Sequence, residues 1–249
     1  TNLESVILEN TISIGNNAFS STNLTTLALP DTLTSIGRGS FSNVPISEIT
    51  FGDSLLTIGD NAFDNSNIKE LALPLSLNSI GEYAFRSNSI NELVIPDNLV
   101  TLGRNAFYSN PLNSVTVGYS LSSIGSLAFP ATIEHVVIKQ KQYSGLSGAD
   151  PRDFKTVVVE EGVEKIGGLS NSQITEIVLP STLVEIYSSA FTGSSLRKID
   201  IPSSVTKIGN YAFENTNITE VVIPTSINDL ADHAFRNTAM ERVIIIEPA

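Results

Sequence analysis

The chain has 249 residues, no cysteine and a formal net charge of -12. Net negative charge argues against a phosphate-binding surface, so nucleic acid is not an expected partner. Without cysteine the chain cannot form disulfides, thiolate metal sites or a cysteine nucleophile, and its two histidines are too few for a histidine-rich metal centre. No apolar run approaches the roughly 20 residues that a membrane-spanning helix needs, so no membrane span is expected in this segment.

A repeat of 22 residues runs through most of the chain. Phenylalanine recurs at this interval from Phe19 to Phe129 and again from Phe191 to Phe235, and alanine precedes eight of these nine phenylalanines. A proline or glycine recurs eleven residues before the phenylalanine. One unit reads I/L-x-x-L/V-x-L/I-P-x-S/T-L-x-x-I-G-x-x-A-F-x-x-S/T-x. A fixed period of this length predicts a solenoid in which each repeat forms one turn.

One of the clearest copies covers residues 68–89 and shows how a unit folds. Leu71 and Leu73 alternate with other residues, which predicts a short strand with one buried face. Pro74 ends that strand because proline cannot donate to a strand ladder. The Ala-Phe pair that ends at Phe85 is expected on a short helical or irregular return. A single unit cannot bury its own apolar face, so about eleven stacked units are needed to form a continuous core.

The unit IP-x-S/T-L-x-x-I-G-x-x-A-F resembles the BspA-like leucine-rich repeats of bacterial surface proteins and some protozoan parasites, over nearly the whole chain. The resemblance implies a right-handed leucine-rich-repeat solenoid. Its continuous parallel β-sheet would lie on the inner face, with short irregular or 3₁₀ segments outside. A single-stranded parallel β-helix fits the periodicity equally well, and only the resemblance separates the two architectures.

We expect one solenoid over residues 1–249, with irregular coils at about 130–169, where the repeat is weakest. Neither end shows a polar cap of the kind that keeps a solenoid soluble. The chain is therefore predicted to be a segment of a longer protein, with an export signal and an anchor outside it. This predicts an extracellular or cell-surface location and indicates no oligomeric state.

The stretch from Lys139 to Phe154 lacks the Ile-Gly and Ala-Phe markers and lies in the most basic part of an acidic chain. A binding loop is one interpretation, because loops on rigid scaffolds often carry specificity. A decayed repeat without a function is the other. The candidate loop residues are Lys139, Lys141, Tyr143 and Arg152.

Strand alternation predicts two rows of side chains that point outward from the sheet, one largely acidic and one largely aliphatic. Such a surface could bind an extended polypeptide or the flank of a protein, and its charge would favour basic partners. A solvated stripe that only keeps the sheet soluble has the same composition. The candidate protein-binding residues are Glu48, Glu70, Glu92, Val94, His135, Val137, Glu176, Val178, Glu220 and Val222.

A hydrolytic site needs a base beside its nucleophile, and histidine is the scarcest residue of this kind in the chain. His135 falls between Ser114 and Thr156 on neighbouring strands, but no acid at those positions would orient its ring. His233 precedes an Ala-Phe pair and is expected on the outer surface.

Glu48, Glu70 and Glu92 occupy equivalent positions of successive repeats. Calcium needs oxygens that converge rather than a flat row, so the three glutamates are not predicted to be a metal site. No phosphate loop, dinucleotide fingerprint or zinc spacing is present. The sequence therefore predicts no catalytic, metal or cofactor-binding residues and does not predict an enzyme.

The resemblance implies a secreted or surface-displayed bacterial protein that binds a protein ligand, of a host matrix or of another cell, through the inner sheet face. Adhesion is the leading hypothesis. A structural spacer that presents another domain is the alternative, and it predicts featureless faces. A polysaccharide-directed enzyme is the third, and it requires a deep pocket with converging acids.

Overall fold

Each turn of the structure contributes short strands to one or both of two parallel ladders. The computed structural model describes residues 2–246. These residues divide into two compact units. Unit 1 extends to Ile133 and also contains Leu146–Ala149, whereas unit 2 contains Glu134–Gly145 and the residues from Asp150 onward. Thr1 and Glu247–Ala249, which the predicted solenoid also includes, lie outside the described residues.

The first ladder contains strands that the sequence predicts before the proline or glycine marker. The strand predicted around Leu71 and Leu73 is wrong: residues 68–74 belong to no strand, because the backbone N–H groups of residues 69–73 donate no hydrogen bond to a neighbouring turn within the described chain.

In unit 1 the strands of the first ladder are Thr26–Ala28, Glu48–Thr50, Glu92–Val94 and Ser114–Val117. In unit 2 they are His135–Ile138, Thr156–Val159, Lys198–Asp200, Glu220–Pro224 and Arg242–Ile246. Within each unit the paired strands are parallel and join equivalent positions of successive repeats, as in the register of Glu92 with Ser114.

The second ladder consists of two-residue strands in the return segment. In unit 1 its strands are Ser13–Ile14, Ser35–Ile36, Thr57–Ile58, Ser79–Ile80, Thr101–Leu102 and Ser123–Ile124. In unit 2 they are Gln142–Tyr143, Lys165–Ile166, Glu185–Ile186, Lys207–Ile208 and Asp229–Leu230. Apart from the 3₁₀ helix Pro151–Asp153, the rest of the described return segments are turns and irregular chain.

The sequence analysis expected a short helical or irregular return and did not predict this second ladder. Two residues are too few to show a strand period, and their pairing comes entirely from the neighbouring turns. Ile36 and Ile58 point inward, pair in register and are each 2% exposed. The return is therefore a second wall of the core, and each of the two units is a parallel β-solenoid, as predicted, with about eleven turns in the two units taken together.

Glycine follows the second ladder in most turns because the turns approach each other too closely there for a side chain. A Cβ atom added to Gly81 would lie 2.6 Å from the backbone nitrogen of Asp60 in the preceding turn. Real Cβ atoms do not come this close to a backbone atom. At Gly15, in the first described turn, an added Cβ would meet no atom within 4 Å.

The repeated phenylalanines form stacked columns inside the solenoid. In unit 1, Phe41, Phe63, Phe85 and Phe107 are fully buried. Their ring centroids are 5.2 to 5.3 Å apart and the planes of neighbouring rings are 3° to 8° from parallel. Offset stacking of this kind adds about 1 kcal/mol per pair to the stabilisation that burial provides.

Buried polar side chains close the turn three residues after the phenylalanine. The side-chain oxygen of Asn88 accepts hydrogen bonds from the backbone N–H groups of Ser66 and Ile68. Its amide nitrogen donates to the backbone oxygens of Phe63 and Phe85. In unit 2 the equivalent Ser194 hydroxyl is buried and has no hydrogen-bond partner in the described part of the chain.

The chain between residues 139 and 154 is ordered into short elements. Gln142–Tyr143 pairs in parallel with Lys165–Ile166. The 3₁₀ helix Pro151–Asp153 is capped by the Asp150 side chain, which accepts a hydrogen bond from the backbone N–H of Arg152. Phe154 follows and is fully buried. The stretch is irregular in sequence but is still tied to neighbouring turns by its backbone.

Whether residues 1–249 form one continuous solenoid stays a prediction. No helix within residues 2–246 is both long and apolar enough to cross a membrane.

Candidate protein-binding surface

The outward face of unit 1 presents the predicted candidates to solvent, with Glu48 and Glu92 on strands of the first ladder and Glu70 on the turn between them, which forms no strand of this ladder. Glu48, Glu70 and Glu92 are exposed, and Val94 is 61% exposed. Leu93, between two of them, is only 2% exposed. This alternation is what a strand with one buried face produces.

The three glutamates of unit 1 are not neutralised. Among residues 2–246, none of Glu48, Glu70 and Glu92 forms an ion pair. Arg86 pairs instead with Asp64, and its Nη2 lies 2.6 Å from a carboxylate oxygen of that residue. The outward face of unit 1 therefore has an uncompensated negative charge.

The same positions in unit 2 are largely paired with one another. Glu220 lies 3.5 Å from the guanidinium of Arg242, in the next strand. Lys198 lies 3.3 Å from Asp200, on the same face of the same strand. Glu176 is exposed and forms no ion pair within the described residues. The two units thus differ in electrostatics although their repeats are alike.

The aliphatic candidates of unit 2 are exposed to different degrees. Val178 is 84% exposed, whereas Val137 and Val222 are half-buried. Val158, in register with Val137, is 53% exposed.

His135 has one hydroxyl and one carboxylate near its ring. Its Nδ1 lies 2.7 Å from Oγ1 of Thr156, on the neighbouring strand, as the sequence predicts. Its Nε2 lies 3.9 Å from a carboxylate oxygen of Glu134. This acid was not predicted, because it precedes His135 along the chain and does not occupy an equivalent position on a neighbouring strand. That same oxygen lies 2.8 Å from Nζ of Lys155, so the acid is paired and is too far from Nε2 to orient the ring by a hydrogen bond.

His233 is exposed, and its ring centroid lies 5.2 Å from that of Tyr211. Within residues 2–246, no three histidine, aspartate or glutamate side chains stand close enough to hold a metal ion.

The cations of the candidate loop are bound to nearby acids. Lys139 lies 3.9 Å from Glu160, and Lys141 lies 2.8 Å from Glu164. Arg152 pairs with Asp150, whose pKa is lowered mainly by this side-chain hydrogen bond. The positive charges that the sequence shows in this stretch are therefore paired with nearby acidic side chains in the folded structure.

Tyr143 does not belong to the exposed surface of this loop, which corrects its place among the candidates. It is fully buried and pairs in register with Ile166, an inward position of the second ladder. Burial raises the pKa of its hydroxyl, which has no hydrogen-bond partner among residues 2–246. The stretch lacks the repeat markers, so the sequence did not reveal that Tyr143 occupies an inward position.

A row of alternating charges lies along the second ladder of unit 2 and was not singled out from the sequence. Lys165, Glu185, Lys207 and Asp229 are in register on successive strands. Glu185 lies 2.8 Å from Lys165 and 3.5 Å from Lys207. The pKa of Glu185 is lowered, first by the hydrogen bond from Lys165. A signal was present in the sequence, since these residues hold the position before the isoleucine or leucine of each second-ladder strand.

A groove of about 710 Å³ crosses the outward face of unit 2. It runs between the strands Thr156–Val159 and Lys198–Asp200 of the first ladder. Thr175, Glu176, Ile177 and Val178 lie between those strands and also line it.

A model of the BspA type leucine-rich repeat region matches residues 2–134 and 150–248, in six copies. The chain belongs to this family. Membership decides between the two architectures that periodicity left open, in favour of the leucine-rich-repeat solenoid. Leucine-rich repeat proteins generally mediate protein interactions.

Several solved structures of leucine-rich repeat proteins are similar to this chain. One is a leucine-rich repeat protein from Bacteroides ovatus, with 21% identity, a TM-score of 0.48 and coverage of 94% of this chain and 64% of that one. Another is a leucine rich cell surface protein from Faecalibacterium prausnitzii, with 19% identity, a TM-score of 0.43 and coverage of 94% and 82%. The pneumococcal vaccine antigen PcpA has 16% identity, a TM-score of 0.42 and coverage of 95% and 74%.

The chain spans less than two thirds of the length of the Bacteroides ovatus structure. No curated protein sequence matches the chain.

Proposed function

We propose that this repeat protein binds a basic protein ligand noncovalently through the outward face of its first ladder in unit 1. The observation that carries the proposal is that Glu48, Glu70 and Glu92 are exposed at equivalent positions of three successive repeats and form no ion pair within the described residues. The ligand class is a surface or matrix protein of a host, or a protein on another cell.

Like charges at equivalent positions on a sheet face repel one another, and no cation within residues 2–246 forms an ion pair with these glutamates to relieve that repulsion. A ligand with lysine or arginine side chains would relieve it and would be steered to the face by its charge. Val94 adds exposed aliphatic surface beside the row. The strands that carry Glu48 and Glu92 pair with strands of neighbouring turns, so these parts of the face are held in place and binding there costs little conformational entropy.

The proposal includes a secreted or cell-surface location and a role without catalysis. Family membership supports both, and the similar protein from Faecalibacterium prausnitzii is named a cell surface protein. Adhesion is the form of binding that we propose for such a location.

The test is a binding assay of the purified chain against extracellular-matrix proteins, mucin and glycans over a salt series. The variant combines Glu48→Gln, Glu70→Gln and Glu92→Gln. Its matched control combines Glu9→Gln, Asp53→Asn and Glu82→Gln, which removes the same charge from exposed positions outside the first ladder. We expect the row variant to weaken binding by roughly tenfold or more and to flatten its salt dependence.

Equal affinity of the row variant and the control would refute the role of the acidic row. Failure of the wild-type chain to bind any member of the panel would favour the spacer function over adhesion.

A further inference from the structure

A row of valines crosses three successive turns on the outward face of unit 2. Val137, Val158 and Val178 hold equivalent positions of these turns, and Val137 pairs in register with Val158. Val158 is 53% exposed and Val178 is 84% exposed, and both line the groove of about 710 Å³. The next turn has Asp200 at this position, with 68% of its side chain exposed, so the apolar row ends there.

The main chain beneath Val178 is not accessible to a ligand. Its turn lies between two neighbouring turns and is hydrogen-bonded to both. The N–H of Gln173 donates to the oxygen of Phe154 at 3.0 Å, and the oxygen of Thr175 accepts from the N–H of Arg197 at 3.0 Å. The peptide groups of this turn therefore point at its neighbours, and only side chains point outward. An occupant of the groove must bind through side chains and must satisfy its own peptide groups.

An α-helix meets both requirements. Its N–H and C=O groups pair within the helix, and an amphipathic helix presents apolar side chains on one face at every turn. Successive helical turns are about 5.4 Å apart, and neighbouring strands are about 4.8 Å apart. Over the two intervals from Val137 to Val178 the difference amounts to about 1 Å, which side chains can absorb. A helix that lies across the turns can therefore place residues i, i+3 and i+7 against the three valines.

Charge selects what flanks the apolar face of the helix. Lys155 lies 2.8 Å from Glu134, and Lys198 lies 3.3 Å from Asp200, so both lysines of the groove have an acid beside them. Glu176 is exposed, lines the groove and forms no ion pair within the described residues. It stands two residues before the valine of its turn and therefore on the same face. A complementary helix presents a lysine or arginine to Glu176.

We propose that this groove binds an amphipathic α-helix of a partner protein. The helix lies across the turns, packs its apolar face on Val137, Val158 and Val178, and places a basic side chain at Glu176. This inference rests on the proposed protein-binding function and names the class of partner segment for a second site, in unit 2.

The test uses an N-acetylated, C-amidated peptide of three copies of Leu-Gln-Ala-Leu-Lys-Gln-Lys, which as a helix has one leucine face flanked by lysines. Calorimetry measures its affinity, and circular dichroism measures the helix content of the peptide alone and in the complex. One control peptide has the same composition in an order that gives no apolar helical face. A second has proline at its centre, and a third has glutamate in place of lysine.

The protein variants are Val178→Asp and Glu176→Gln. Val184→Asp is the matched control for the first, because Val184 is a 40% exposed valine of unit 2 that does not line the groove. Glu241→Gln is the matched control for the second, because Glu241 is exposed and also lies outside the groove. Val178 is almost fully solvent-exposed, so Val178→Asp should keep the unfolding temperature of the wild type.

We expect the amphipathic peptide to bind and to be helical in the complex. Val178→Asp should weaken binding at least about tenfold and Glu176→Gln about threefold, whereas the two control variants should leave it unchanged. The reordered and proline peptides should lose most of the affinity, and the glutamate peptide should bind more weakly than the lysine peptide. Absence of binding, a bound peptide that is not helical, equal affinity of the reordered peptide, or equal effects of Val178→Asp and Val184→Asp would overturn the proposal.

The chain with Glu48, Glu70 and Glu92 replaced by glutamine should bind this peptide like the wild type. Failure of the groove and failure of the acidic row can therefore be told apart.

Discussion

The rings of Phe85 and Phe107 stack with their centroids 5.3 Å apart and their planes 3° from parallel. The two residues are one repeat apart, so the stack links consecutive turns through their side chains. Backbone hydrogen bonds make the same link, as between the N–H of Phe85 and the oxygen of Ala106, at 2.8 Å. Side-chain packing and backbone pairing therefore both join residues one repeat apart, so both hold consecutive turns in the same register.

Truncation of a ring inside this column should be costly. Phe85→Ala leaves a cavity between two rings that are themselves fully buried, and we expect the free energy of unfolding to fall by about 3–5 kcal/mol. Phe19→Ala is the control, because Phe19 stacks on one ring only and is partly exposed. Urea unfolding of both variants checks the prediction, and an equal loss at the two sites would contradict the role of the column.

Replacement of Asn88 and of Ser194 should show that the stability lost with a buried polar side chain depends on whether that side chain is hydrogen-bonded. Asn88→Ala leaves the N–H groups of Ser66 and Ile68 without their acceptor, so we expect a loss of about 2–4 kcal/mol of stability. Ser194→Ala removes a hydroxyl that forms no hydrogen bond within the described residues, and it should be neutral or slightly stabilising. Thermal and urea unfolding measure both, and a large loss in the serine variant would show that its hydroxyl has an unseen partner.

Gly81→Ala should destabilise the solenoid whereas Gly15→Ala should not. The added methyl at Gly81 would lie 2.6 Å from the backbone nitrogen of Asp60, and the turns would have to separate to accommodate it. At Gly15 no atom lies within 4 Å of the added methyl. We expect a loss of about 1–3 kcal/mol at Gly81 and less than about 0.5 kcal/mol at Gly15, measured by urea unfolding.

Glu185 should contribute stability at neutral pH that is lost in acid. Its folded-state pKa lies below the value of an unfolded glutamate because Lys165 donates a hydrogen bond to it. The contribution is therefore fully present above about pH 4.3 and falls as pH decreases through the lower folded-state pKa. Glu185→Gln should be less stable than the wild type at pH 7, and the difference should shrink by pH 3. Glu82→Gln is a control, because Glu82 is exposed and forms no ion pair within residues 2–246. A constant difference for Glu185→Gln would contradict the linkage.

The repeat by itself determined most of the fold. The recurrence of Phe85 and its equivalents requires turns of equal length, and an apolar face on each turn requires neighbours to cover it. The alternation around Leu93 likewise determined that Glu92 and Val94 face solvent, because side chains on a strand alternate between its two sides. These features depend on the order of residue types along the chain, which the sequence gives directly.

Tertiary structure decided the features that depend on which turns meet. The pairing of Ser79–Ile80 comes from neighbouring turns and has no strand period of its own. Tyr143 is buried because its register partner is Ile166, a relation that no marker in the irregular stretch reveals. The acidic row is free in unit 1 and largely paired in unit 2, because ion pairs depend on distances between atoms that are far apart in sequence. The composition gives the number of charged residues, but only the folded structure determines which of them form ion pairs.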